Sequence, residues 1–309
     1  MDKPPNLLRA ATPAGHPALL AVWLVSALCL SAGIMLAALQ LSFGLPLAAL
    51  GGMGLAGGWV AFLVRLARHR RRLAGAELLL SRGELAGARE ILRPLLGAFP
   101  GAPEVQRAAG LLLYASGDPL SSAALLEQAL AALGPDSALV TTLVAAYAAL
   151  NKGGDARRAA RVMAGDPDVR LALAWSELVV LGGDPRAAEG LISSLVHVRA
   201  IRETSGRRGM LAALVAIVDV RAGRAGRMRE RLGEIEAGAS ALGRQDQAFI
   251  SYLGAIALRE AGDLEGARRT LTGALALDPE GIAGALARRE RSHLPEPVAP
   301  PSPPDPDPV

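Results

Sequence analysis

Between Pro17 and Val64 the chain carries no charged side chain, a run of 48 residues interrupted only by FGLP at Phe43 to Pro46. A helix that crosses a bilayer uses about 20 consecutive apolar residues. The run therefore predicts two such helices joined by a tight turn. Beyond Arg72 the pattern changes to apolar positions at helical spacing, punctuated by glycine next to small or acidic residues. The stretches RGELAGAREILRPLLGAFP from Arg82, SGDPLSSAALLEQALAALGP from Ser116 and GGDARRAARVM from Gly153 are variants of one pattern. GGDPRAAEGLISSL from Gly182, AGRAGRMRERLGEI from Ala222 and AGDLEGARRTLTGALALDP from Ala261 continue it. Anchored on Gly83, Gly117, Gly154, Gly183, Gly223 and Gly262, the six copies are spaced by 34, 37, 29, 40 and 39 residues. Periods of this size belong to arrays in which each helix pair buries its apolar face on the next. After Arg291 the periodicity stops at SHLPEPVAPPSPPDPDPV, with eight prolines from Pro295 onward. Proline withholds backbone donors, so this end is expected to be extended and disordered. No basic residue orients a P-x-x-P core, which favours a solubilising end over a ligand for a proline-binding module.

The pattern divides the chain into a cytoplasmic N-terminal segment (1–16), a two-helix transmembrane hairpin (17–66), a basic juxtamembrane segment (67–72), an α-helical array (73–290) and the Pro-rich tail (291–309). The expected fold is all-α. Within the second span, GGMGLAGG from Gly51 contains G-x-G-x-x-G at Gly52, Gly54 and Gly57. A dinucleotide turn needs a strand before the glycines and a helix after them, and an uncharged membrane run supplies no such strand. The glycines read instead as helix-packing residues. Gly51, Gly54, Gly58 and Ala61 share one helix face, and Ser26, Gly33 and Ala37 form a matching stripe on the first span; small residues let backbones approach closely in lipid.

Charge sets the expected orientation. Arg65, Arg68, Arg70, Arg71 and Arg72 follow the second span, Lys3 and Arg9 precede the first, and the turn is neutral. Excess Lys and Arg mark the cytoplasmic side, which puts both termini and the array in the cytoplasm of a bacterial inner membrane, with the arginine cluster against anionic lipid. No aromatic residues interleave with these arginines to stack bases, so nucleic acid is not an expected partner. The net charge of +4 owes much to this cluster. The first span is too long for a signal-peptide core and lacks a small-x-small cleavage site. Cys29, the single cysteine, follows Leu28 in mid-span and reads as a small apolar residue; one cysteine also excludes a disulfide framework or a Cys-rich zinc site. Helix formers and small residues, with only 3% aromatics, suit stacked helices better than a sheet core.

The repeated segments resemble tetratricopeptide repeats. That family turns its helix pair at a Gly-acidic dipeptide, places a small residue five positions after the glycine and apolar residues nine and twelve after it, and often closes with proline. The first copy matches at Gly83, Glu84, Ala88, Leu92, Leu95 and Pro100, the last at Gly262, Asp263, Ala267, Leu271, Ala274 and Pro279. The fifth departs at Arg224 and Met228, and Val198 to Gly209 reads as a longer connection. The resemblance spans about 73 to 285 and implies an α-solenoid of about six helix pairs that holds segments of other proteins in a groove. Carried over from the family's groove positions, the candidates are Arg107, Tyr114, Asn151, Lys152, Arg170, Arg221, Tyr252 and Arg259; solvated helix faces would place the same residues equally well. Two spans, an arginine cluster and repeats also look like HemY-type inner-membrane proteins. Repeat proteins of lipopolysaccharide assembly add a Cys-rich metal module, which this chain lacks.

No catalytic constellation stands out. His16, His69, His197 and His293 are scattered, and H-E-x-x-H, G-x-S-x-G and P-loop patterns are missing. Asp118, Asp155, Asp184 and Asp263 recur at the repeat turns, as turn and N-cap residues do. The expectation is a membrane-anchored scaffold, neither an enzyme nor a cofactor or metal binder, with possible homo-oligomers through the hairpin. The competing reading, an oligomeric channel or transporter subunit with the repeats as its assembly domain, would call for ionisable residues in the spans, and Gln40 is their one strongly polar side chain.

Overall fold

The computed structural model describes residues 17–38, 44–179, 184–239 and 242–295, and every regular element among them is helical. The chain forms two compact units, Met1–Arg202 and Glu203–Val309. In the first, α1 (Pro17–Ala38) packs along α2 (Gly44–Ser81). Small residues make this contact. A Cβ added at Gly51 would stand 2.7 Å from both the Leu30 Cα and the Ser26 carbonyl oxygen, and one at Gly54 would strike the Ser26 side chain. Gly58 is buried as well, whereas Ala61 is exposed although it stands only about 20° round the helix from Gly54 at ~100° per residue, so the packed contact ends along the axis before Ala61. Gly52 and Gly57 meet nothing within 4 Å. Of the three glycines in the G-x-G-x-x-G spacing, only Gly54 is a packing residue. All three lie inside a continuous helix, which leaves no strand-to-helix turn to hold a phosphate.

Among the described residues one helix, Ala48–Ser81, is long and apolar enough to cross a membrane, with mean hydropathy 1.5 and 18% of its most apolar window buried. A second span at α1 rests on the sequence pattern alone. The boundaries expected at 66 and 72 are not breaks: α2 runs through the basic segment and ends at Ser81, so its last turns also serve as the first helix of the first repeat.

The remaining helices of this unit are α3 (Leu85–Ala98), α4 (Pro103–Ala115), α5 (Pro119–Leu133), α6 (Ser137–Ala149), α7 (Gly153–Ala160), α8 (Pro167–Val179) and α9 (Pro185–Leu195). They pack as the pairs α2–α3, α4–α5, α6–α7 and α8–α9, with α2, α4, α6 and α8 also touching in succession. A short helix, α10 (Arg199–Glu203), reaches the division between units. The second unit holds α11 (Ser205–Arg221), α12 (Met228–Ala239), α13 (Arg244–Glu260), α14 (Leu264–Leu277) and α15 (Ile282–Ser292). Here α11 pairs with α12, α13 with α14, and α13 contacts both α11 and α15. Val198 to Gly209 is therefore largely helical rather than a connection.

One turn recurs through both units. At Gly83, Gly117, Asn151, Gly223 and Gly262 the backbone is left-handed, with φ of 75°, 80°, 59°, 75° and 86°. The residue after each donates its N–H to the carbonyl five positions back: Glu84 to Leu79 (2.9 Å), Asp118 to Leu113 (2.9 Å), Lys152 to Tyr147 (2.8 Å), Arg224 to Asp219 (2.7 Å) and Asp263 to Leu258 (3.0 Å). This double-bonded helix ending satisfies carbonyls that would otherwise be orphaned and requires a left-handed residue. The third turn centres on Asn151, not on the expected Gly154, which lies within α7. Asparagine is the side chain that best tolerates this conformation after glycine. The correction regularises the array, because Gly83, Gly117 and Asn151 are each 34 residues apart. The turn at Gly183 and the tail from residue 296 lie outside the described residues.

Packing follows the corrected register. Seven residues before and five after the left-handed residue stand Ala76 and Ala88, Val144 and Ala156, and Ala255 and Ala267, all at most 1% exposed. Leu92, Leu126 and Leu271, nine after it, are fully buried. At Gly110 and Ser122 the crossing is so close that a Cβ on Gly110 would sit 2.7 Å from Leu126 and 3.4 Å from the Ser122 carbonyl. The fifth copy solves the crossing differently. Met228 is too large for the small position, a short 3-10 turn (Ala225–Arg227) precedes α12, and the close approach moves to Gly209 and Gly238, where a Cβ on Gly238 would stand 2.7 Å from the Gly209 Cα. Asp118, Asp184 and Asp263 cap the following helices by accepting the N–H of Ser121 (3.0 Å), Arg186 (2.9 Å) and Gly266 (2.8 Å). Asp155 instead lies in the first turn of α7 and pairs with Arg158 at 2.7 Å.

Candidate functional site

The eight groove candidates do not converge on one surface. Arg107 on α4 lies between two carboxylates from neighbouring helices, Glu77 of α2 at 2.7 Å and Asp136 at the N-cap of α6 at 2.7 Å. Asp136 also accepts the Leu139 N–H at 3.0 Å. Burial pushes the Asp136 carboxyl up, but the Arg107 hydrogen bond, the backbone N–H groups and the Arg107 charge outweigh it and hold that carboxyl below the usual range. Arg107 thus ties three successive first helices together.

The same device recurs in the second unit. Arg221 on α11 pairs with Glu260 on α13 at 2.6 Å, and the adjacent Arg259 reaches Glu290 on α15. The guanidinium groups expected to face a ligand are already engaged by carboxylates of the chain. Tyr252 is 2% exposed and belongs to the core, which removes it as a contact for any partner. Its hydroxyl is pushed up, chiefly by burial. Asn151 and Lys152 form the turn between α6 and α7, not a helix face, because the left-handed residue falls at Asn151. Both are exposed. Arg170 on α8 donates to the Ser194 hydroxyl of its own helix pair, and Tyr114 is half-buried against the core built on α5 to α8.

A further tie has no counterpart among the sequence candidates. Glu177 on α8 is 4% exposed and receives Arg157 of α7 through two bonds, 2.5 and 2.6 Å, together with the Asp184 N–H at 2.8 Å. Burial alone would raise the Glu177 carboxyl, yet the Arg157 and backbone hydrogen bonds bring it below its ordinary value. The acceptors Glu77, Asp136, Glu177, Glu260 and Glu290 are what reading for groove residues missed. The available signal was a carboxylate about one repeat away from each arginine, 29 to 39 residues for Arg107, Arg221 and Arg259.

Two cationic surfaces remain without such acceptors. On α2, Arg68, Arg70, Arg71 and Arg72 are exposed and form no ion pair among the described residues, while His69 turns edge-on to Phe99 at 4.7 Å. In the second unit an open cleft of about 390 Å³ is lined by Leu275, Arg288, Arg291 and Ser292. Among the described residues no group of three His, Cys, Asp or Glu side chains is placed to hold a metal ion. Comparison with protein-family models, with curated proteins and with solved structures finds no match to this chain.

Proposed function

We propose that the chain is a membrane-anchored scaffold whose tetratricopeptide-like array holds other proteins at the cytoplasmic face of a bacterial inner membrane, in the assembly or regulation of a membrane complex. The observation that carries this reading is the opposite polarity of packing in α1–α2 and in the pairs beyond Ser81. The hairpin turns Leu28, Met35, Leu50, Met53 and Val60 outward at 61–67% exposure and keeps small residues inside. Such a surface suits hydrocarbon, not water. The recurring left-handed turn, its small crossing residues and the 34-residue spacing support the repeat assignment. The exposed arginines that follow the apolar segment support a cytoplasmic array resting near anionic headgroups.

The internal arginine ties alter where partners are expected. With Arg107, Arg221 and Arg259 engaged, partner capture relies on surfaces other than those guanidinium groups. Crosslinking in native membranes with mass-spectrometric identification of attached proteins is the decisive experiment, run alongside reporter fusions at Leu45 and Val309. The proposal expects a Leu45 reporter active in the periplasm, a Val309 reporter active in the cytoplasm, and discrete crosslinked proteins mapped to residues 73–290. Periplasmic activity at Val309 would overturn the topology, and crosslinks confined to the hairpin would overturn the scaffold role.

A further inference from the structure

The cleft in the second unit combines two cationic side chains with an apolar patch and a hydroxyl. Arg288 and Arg291 lie on its α15 wall, Leu275 of α14 gives it an apolar patch, and Ser292 supplies a hydroxyl. Arg288 donates through one nitrogen to the Pro279 carbonyl at 2.6 Å and its charge also acts on the Asp278 carboxyl, but neither arginine closes an ion pair within 4 Å among the described residues. By contrast, Arg221 and Arg259 of the same unit are both paired with carboxylates. Two arginines beside an apolar wall form a receptor for an acidic segment that also carries apolar, hydrogen-bond-poor residues.

The chain supplies such a segment at this location. Residues 293–295 come directly after α15, and the Pro295 carbonyl accepts a bond from Arg268 of α14 at 2.5 Å. The chain that leaves Pro295 thus starts from the α14 side of the same helix pair that builds the cleft. Its last fourteen residues, EPVAPPSPPDPDPV, contain Glu296, Asp305 and Asp307 and no basic residue. At ~3.1 Å per residue for a proline-rich extended chain, ten residues cover about 31 Å, ample to bring these carboxylates over neighbouring turns of two packed helices. Proline lowers the entropy lost when such a segment docks.

We infer that the acidic Pro-rich tail, residues 296–309, is the ligand of this cleft in its own chain, with its carboxylates on Arg288 and Arg291 and its prolines against Leu275. This inference stands apart from the membrane-scaffold reading, since it concerns the second unit alone.

The test uses the full chain with Cys29→Ser, spin labels at Thr272→Cys and Ser302→Cys, and pulsed dipolar distance measurement. Docking gives a short, narrow distance distribution at low salt. Arg288→Glu with Arg291→Glu broadens it, and adding Glu296→Lys, Asp305→Lys and Asp307→Lys to that variant narrows it again. The charge-swap rescue separates lost docking from lost folding. A broad distribution in the parent, or one unchanged by the arginine reversal, overturns the inference. A short distance that vanishes when labelled chains are diluted with unlabelled ones overturns the intrachain assignment, because the tail would then belong to a second copy.

Discussion

The α1–α2 hairpin and the α4–α5 pair are both antiparallel helix contacts built on glycine, yet they are packed in opposite senses. In α4–α5 the close approach at Gly110 brings Leu126 to zero exposure, and large apolar groups fill the interior. In α1–α2 the close approach at Gly51 and Gly54 brings together Ser26 and backbone, while Leu24, Val25, Leu28 and Ile34 are more than half exposed. A pair that must hide apolar surface from water places leucine inside; a pair with no such need lets backbones meet and leaves leucine outside. Identical glycine chemistry therefore serves two opposite ways of distributing apolar side chains.

The sharpest way to break this contrast is a charge at a repeat crossing. Ala88→Arg or Ala267→Arg forces a cation into a position with no exposed surface, at a cost of about 3 kcal/mol or more. Circular-dichroism melts of the purified chain should show each variant melting at least several degrees lower, or already unfolded. Unchanged midpoints for both would refute the register. Next in size is Leu28→Arg. In water an exposed leucine is replaceable within about 0.5 kcal/mol, whereas at the centre of a span arginine costs about 2.5–3.5 kcal/mol of insertion. A reporter fused at Leu45 distinguishes the two, and periplasmic activity equal to that of the unsubstituted chain would count against a spanning α1.

Gly51→Leu with Gly54→Leu should separate α1 from α2 at about 1–3 kcal/mol by overpacking, read as lost cysteine crosslinking between Ser26→Cys and Leu55→Cys in a Cys29→Ser chain. The far side of the contrast, the repeats, should melt as before. The fourth prediction concerns pH. The Asp136 and Glu177 carboxyls lie below their ordinary values when folded, so their contribution is complete above the usual carboxylate range and declines as pH falls towards the folded values. Melting midpoints at about pH 6 and about pH 3 should converge in Arg107→Met and Arg157→Met relative to the parent. The smallest effect is Asn151→Gly, which relieves a left-handed backbone at φ 59° and should add about 0.5–1 kcal/mol, while Asn151→Ala should lose a similar amount.

The sequence was most informative where one residue type has one physical use. Gly83, Gly117 and Gly262 mark left-handed turns because other side chains resist that conformation, and Ala88 and Ala267 mark crossings because nothing larger fits. It misled at Gly154, since Asn151 performs the turn and the neighbouring glycines drew the register three residues downstream. A strict 34-residue interval from Gly117 would have pointed to Asn151. The candidate site was less legible. Arg107 and Tyr252 carry no local mark that separates a surface group from an interhelical tie or a core ring, because that depends on carboxylates and helices one repeat away.

The uninterrupted α2 has a consequence for how the apolar hairpin and the first repeats are oriented. A helix advances ~1.5 Å and turns ~100° per residue, so the stretch between Val64 and Leu73 acts as a splined shaft. Its residue count sets which side of the first repeats faces the apolar segment, much as tooth number sets the phase of a gear. One inserted residue there would rotate the first repeats by ~100° relative to the apolar segment. Four would return it to within ~40° of the starting phase.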